Sequence, residues 1–311
     1  MGLESQLLND KGPGERQGRE KLPVVEPLRP HLSYGLGRGV VLFDNPEETG
    51  ELWKAQKPGM GLPLLAQDEK YGVIAQGDSM LILDKDSLSE THHHLGTKGN
   101  YVAGLAMANG KAYALSQYAP FHSTLHIVSL DNGKTERIHT ESASGLVGYR
   151  DRVLLATTHD WGRHTALRFV NGGLKVETAL ECLGDIQSAQ LASGKFLYVM
   201  SKREPVSHHE ITAYAGDDKM QPIGGVRVIH NAVRIAANGC SVFAIDGASR
   251  LHCFDSYLKH VWREDTRYSP DINLALEASE SGVKVMSIVG NIVQSYTVFD
   301  NNGKEIIRRR K

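Results

Sequence analysis

An apolar residue followed by Asp or Asn, then a polar turn and another extended run, recurs from one end of the chain to the other. Phe43-Asp44, Leu83-Asp84, Leu130-Asp131, Val170-Asn171, Phe254-Asp255 and Phe299-Asp300 mark it, with a looser copy at Gly216-Asp217. Between the Asp or Asn markers the steps are 40, 47, 40, 46, 38 and 45 residues. Such a period over almost all of 311 residues restricts the chain to a repeat architecture. One unit of this size buries its apolar faces only against its neighbours.

Within each period the pattern is one of short strands. Inner hairpins are signalled by Asn109-Gly110, Arg150-Asp151, Ser193-Gly194, Asn238-Gly239 and the longer Ser279–Gly282. Asn-Gly between alternating apolar residues is the strongest short hairpin signal. No segment keeps a helical period, so almost no helix is expected. Four strands per period of about 40–45 residues predict an all-β fold, a seven-bladed β-propeller of four-stranded antiparallel blades. The blades are expected near 22–56, 62–95, 101–140, 145–181, 185–225, 230–265 and 270–311, after a polar, flexible tail at 1–21. Residues 22–44 align without a gap onto 62–84, Gly37 on Gly77 and Asp44 on Asp84, so the first blade reads as made from continuous chain. Strands A and B, as in 196–200 and 232–237, are apolar and fit burial on both faces. D segments such as 134–140 and 304–311 are polar and fit outer edges protected by charge.

The recurring Asp reads as a turn residue rather than a catalytic or calcium-binding ring. It ends strand C, where its carboxylate can accept the backbone N–H two residues on. Trp53 and Trp262 occupy matching D strands in FDNPEETGELW and FDSYLKHVW, and are expected to pack between blades. Those two units resemble the repeats of quinoprotein-type propellers, within the broader β-propeller superfamily of quinoprotein-like and WD40-like repeats; no specific family is assigned. The scaffold propellers of bacterial envelope assembly are similar. The resemblance implies the fold and not quinone chemistry, and no blade carries the Trp-Asp and Gly-His marks of WD40 repeats.

Thirty-five basic residues face 36 acidic ones, a net charge of −1, so no overall field favours nucleic acid or an anionic membrane. No apolar run is long enough for a membrane span. The N-terminus lacks the apolar core of a signal peptide, and Gln6 stands where a myristoylation signal wants Ser or Thr. A cytoplasmic location is expected, and a virion component stays open. Cys182, Cys240 and Cys253 read as buried thiols of a reducing compartment. The tail 1–21 reads as a docking segment or a latch for the ring.

One face of the repeat is decorated. Most B–C connections are short, as at 76–78, 246–249 and 289–291, but three consecutive units depart: 117–124, 158–165 and 202–210. Each reaches strand C with histidine: His122, His164 and His208-His209. Insertions on one face of adjacent repeats are where such scaffolds place binding surfaces. Tyr118, Phe121 and Trp161 supply rings there; His159, Asp160, Arg163 and Arg203 supply polar and charged groups. Aromatic and Arg residues are typical of interface hot spots. The expected function is therefore a non-catalytic scaffold for protein–protein interaction or assembly through this face. The alternative is a small-molecule, glycan or metal-dependent binder or enzyme on the same loops. No metal, cofactor or catalytic residue is assigned, since GxSxG, P-loop, dinucleotide and HExxH patterns are missing. Asp185 and Asp271 precede A strands, at positions expected to face the channel. His92-His93-His94 and Arg308-Arg309-Arg310-Lys311 read as polar outer edges.

Overall fold

Alternating apolar residues and tight turns fold the chain into short antiparallel ladders. The computed structural model describes residues 30–35, 39–44, 50–55, 63–96, 101–119, 122–140, 143–149, 152–159, 164–171, 175–183, 185–192, 196–203, 208–215, 222–223, 227–230, 234–269, 273–289 and 292–310. For the described residues within 158–196, 201–208 and 227–230, and for Tyr101, Tyr118, Ala119, Ser144, Tyr149, Arg152 and Asn273, it gives the backbone alone. The tail 1–21 and the position expected for the first unit's strand A lie outside the described residues.

The first sheet holds β1 (His31–Tyr34), β2 (Val40–Phe43) and β3 (Glu51–Lys54), and the second β4 (Leu64–Gln67), β5 (Tyr71–Gln76), β6 (Ser79–Asp84) and β7 (Glu90–His94). The third is β8 (Tyr101–Ala108), β9 (Lys111–Ala119), β10 (His122–Ser129) and β11 (Thr135–Thr140). The fourth follows with β12 (Ala143–Tyr149), β13 (Arg152–His159), β14 (His164–Asn171) and β15 (Lys175–Leu183). In the fifth are β16 (Asp185–Ala192), β17 (Phe196–Arg203), β18 (His208–Ala215) and β19 (Arg227–His230). The sixth comprises β20 (Arg234–Ala237), β21 (Ser241–Ile245), β22 (Arg250–Asp255) and β23 (His260–Asp265). The last contains β24 (Asn273–Ser279), β25 (Gly282–Val289), β26 (Ile292–Asp300) and β27 (Glu305–Arg310).

All pairs are antiparallel and joined in chain order. No helix occurs among the described residues, and none is long and apolar enough to cross a membrane. One boundary differs from expectation. The fourth strand of the fifth sheet, β19, lies beyond 225, after a connection from β18 longer than those of the other sheets.

Burial follows position in the sheet. β5, β21 and β25 are almost wholly buried, whereas β3, β7, β23 and β27 are mostly exposed. First strands are less buried than expected: β4 is intermediate throughout and β20 partly open. Each is an edge of its sheet, with a partner on one side only. In the second sheet the buried pair is therefore the second and third strands, not the first and second. First strands of the second to seventh sheets neighbour one another in chain order. Between β8 and β12 the approach is close enough to require glycine. A Cβ on Gly104 would come 2.8 Å from Leu146 N, and one on Gly148 2.8 Å from Met107 O.

The turn reading of the recurring Asp holds at Asp84, Asp255 and Asp300. Asp84 Oδ1 accepts the N–H groups of Asp86 and Ser87 at 3.1 and 2.9 Å. Asp255 Oδ1 accepts those of Tyr257 and Lys259 at 2.9 and 2.8 Å, and Asp300 Oδ1 those of Asn302 and Lys304 at the same distances. In the third sheet the role moves one residue on, to Asn132, whose Oδ1 accepts from Lys134 N at 2.9 Å. Both described tryptophans reach the next sheet. Trp262 packs with Phe243 and Phe299 and donates to Asn301 O at 2.8 Å, while Trp53 packs over the first and second sheets and donates to Glu90 Oε1 at 2.6 Å. Gly303 closes the last turn at φ +84°, with Trp262 lying where a Cβ would stand. Of the cysteines, Cys253 is buried, and burial pushes its thiol up to about 11. Cys240 is exposed, contrary to the buried reading, because it sits in the hairpin turn after Asn238.

Candidate functional site

Strand pairing sets the geometry of the decorated face. The segments 117–124, 158–165 and 202–210 are longer strands rather than longer loops. Only residues 120–121, 160–163 and 204–207 separate β9 from β10, β13 from β14 and β17 from β18. The ladder continues because its terminal residues still find partners: Thr157 pairs with Ala166, and Lys202 with His209. Three successive third strands begin with histidine, His122 on β10, His164 on β14 and His208 on β18.

The register then brings residues together across each sheet end. His159, the last residue of β13, stands opposite His164. Arg203 stands opposite His208, which on its other side faces His230 of β19. Nothing local in the sequence marks His230, since a long connection separates it from β18 and its partner is found only through the register. His122 is exposed, and His209 is buried at 9% exposure, turned into the sheet packing rather than outward. Tyr118 lies in β9 by its backbone, and Phe121, Asp160, Trp161 and Arg163 lie outside the described residues. Among the described residues no three His, Cys, Asp or Glu side chains gather as a metal site.

A second polar cluster joins the ends of the chain. Ser33 Oγ accepts from Lys284 Nζ at 3.0 Å and donates to Glu277 Oε2 at 3.0 Å, over sequence separations of 251 and 244. Lys284, 8% exposed, also lies 4.6 Å from the Tyr296 ring centroid. On the same side Gln67 accepts from Leu32 N at 3.0 Å and from Lys85 Nζ at 2.9 Å through Oε1. Its Nε2 must therefore donate, to Leu32 O and to His31 Nδ1, each at 3.1 Å. With Nδ1 accepting, the His31 proton sits on Nε2, 3.5 Å from Glu277 Oε1. His31 thus links the first sheet to the second and the last. Burial raises the Glu277 carboxyl, but the His31 hydrogen bond, the Lys284 ammonium and the Ser33 hydroxyl outweigh it and hold it below the ordinary value. Burial pushes the Tyr34 hydroxyl well above its ordinary value, with Glu277 adding to the shift, and the hydroxyl donates to Pro63 O. No local sequence pattern announces this cluster, because its members come from opposite ends of the chain.

No family model and no curated protein matches the chain. Solved structures do match it over most of its length. Kluyveromyces lactis Hsv2 superposes with a TM-score of 0.63 at 9% identity, over 91% of this chain and 96% of its own. A chain of the Mitotic Checkpoint Complex gives 0.60 at 11% identity, over 82% and 88%. The fold is of the β-propeller kind. A functionally unknown protein from Desulfotomaculum acetoxidans, at 0.64 and 14% identity over 90% and 95%, is similar in the same sense. At such identities the likeness speaks for fold alone.

Proposed function

We propose that the seven sheets are the blades of one ring built from residues 22–311, and that this ring is a non-catalytic scaffold for a protein partner. The bonds between first and last sheets and the chain-order contacts of the first strands support the ring. The contact surface in this reading is the end of the third, fourth and fifth sheets where β10, β14 and β18 begin. The observation that carries it is the run of histidines opening three successive third strands, flanked by Arg203 and His230 in register. A row of like positions on adjacent repeats makes a continuous surface. The likeness to a chain of the Mitotic Checkpoint Complex agrees with a role inside an assembly, by fold only. A second reading uses the same end for a small molecule, a glycan or a metal ion; it rests on His159 standing opposite His164.

Affinity capture with quantitative mass spectrometry separates the two. A triple variant, His122→Ala with His164→Ala and His208→Ala, is compared with Tyr257→Ser at the other end of the sheets, where Tyr257 is exposed in the turn after β22. The scaffold reading expects partner recovery to fall about tenfold in the triple variant alone, the size of a hot-spot loss. Unchanged recovery contradicts it. Stoichiometric metal in the parent protein that is lost on His164→Ala favours the second reading.

A further inference from the structure

The outer edge of the second sheet carries three consecutive histidines, and the strand sorts them. Residues i and i+2 of a strand share a face, so Glu90, His92 and His94 lie on one side of β7 and His93 on the other. Exposure agrees with this sorting. The side chains of His92 and His94 are each 67% exposed, whereas His93 is partly buried, and its Cε1 lies 4.0 Å from where a Cβ on Gly133 would stand.

Each exposed ring has a carboxylate beside one nitrogen. His92 Nε2 lies 3.1 Å from Glu90 Oε2, and His94 Nδ1 lies 4.0 Å from Asp78 Oδ2. A carboxylate at one ring nitrogen keeps the proton there and leaves a lone pair on the other, a pairing that also raises the basicity of a ligating histidine. The 3.1 Å contact leaves His92 Nδ1 as that ring's donor atom, whereas Asp78 at 4.0 Å is too far to fix the proton on His94, which offers either nitrogen.

We propose that His92 and His94 form a two-histidine chelate for a divalent transition-metal ion of the zinc, copper and nickel class. Alternate residues on a strand stand about 6.5–7 Å apart, a gap that two imidazoles close when each reaches about 2.0–2.1 Å to one ion. Imidazole suits these ions better than it suits magnesium or calcium. With no third protein donor gathered there among the described residues, water completes the coordination. Both rings are exposed, so an ion reaches them from solvent. Arg137, held on His94 O at 3.5 Å, opposes a cation; the carboxylates of Glu90 and Asp78 offset it.

The site has its own reporter. Trp53 Nε1 donates to Glu90 Oε1 at 2.6 Å, on the carboxylate whose other oxygen meets His92. A copper(II) ion on the chelate quenches Trp53 emission, and Trp53→Phe identifies that part of the signal against Trp161 and Trp262. The full chain, stripped with a chelator, is titrated with copper(II) and then with zinc(II) as competitor. The parent is expected to show saturable quenching that zinc reverses. His92→Ala and His94→Ala are each expected to raise the half-quenching concentration at least about tenfold, and the double variant to abolish the signal. His93→Ala stays within about threefold of the parent, because that ring faces away. All three substitutions fall on an outer edge strand, and circular dichroism checks that the sheets persist. Absence of saturable quenching in the parent overturns the proposal. So does a double variant that quenches at parental copper concentrations, or a His93→Ala variant that loses as much as either neighbour.

Discussion

Between the third and fourth sheets, Tyr113, Leu115, Leu125 and Ile127 meet Val153 and Leu155 in one apolar cluster. Between the last sheet and the first, the side chains that meet include Glu277, Lys284, His31 and Ser33. Both joints bring sheets face to face, but the chain delivers them differently. The third and fourth sheets are neighbours in sequence, so apolar packing, which is strong and non-directional, suffices to hold them. The first and last sheets must find each other over more than 240 residues. Hydrogen bonds and charges accept one arrangement of the two ends and reject others, at some cost in desolvation.

That contrast can be broken at several points. The largest effect is expected from Leu125→Ala in the apolar joint. Leu125 is fully buried, and the cavity should cost about 3 kcal/mol in urea unfolding. Next comes His126, buried at 2% exposure with Nε2 2.9 Å from Ser116 Oγ. Burial, helped by Arg137, His139 and His94, lowers its pKa to about 4. The unfolded chain therefore takes up this proton first as pH falls. Stability should drop between the ordinary histidine value of about 6.5 and about 4, by on the order of 2–3 kcal/mol. His126→Gln should flatten that part of a stability–pH curve. A slope left at lower pH belongs to carboxylates such as Glu277, whose folded pKa is lowered; its contribution is present above the unfolded value and vanishes as pH falls through the folded one. Smaller still, Lys284→Met should cost about 2 kcal/mol, by leaving the Ser33–Glu277 pair without its cation. Smallest, Asp300→Ala removes the acceptor of two turn N–H groups and should cost about 1 kcal/mol.

The two kinds of joint also explain what was legible in the sequence. Asp84, Asp255 and Asp300 bind N–H groups two to four residues away, so their role can be read locally. Local reading also placed Trp53 and Trp262 between sheets. It misjudged 158–165, because Thr157, Thr158, His164 and Thr165 are polar residues that nonetheless continue the ladder. Strand pairing satisfies backbone groups whatever the side chains, so a polar strand end resembles a loop. Ser33, Glu277 and Lys284 left no mark, since nothing near any of them indicates its partner. His230 was hidden for the same reason.

The central claim is that directional bonds of Ser33, Glu277 and Lys284 hold the two ends of the chain together. Amide hydrogen exchange on Lys284→Met, followed strand by strand, tests it most directly. If the claim is right, β1, β2 and β24 should exchange at least about tenfold faster than in the parent, while β9, β10 and β13 stay within about twofold. Equal acceleration in all six strands, or none in β1 and β24, would contradict it.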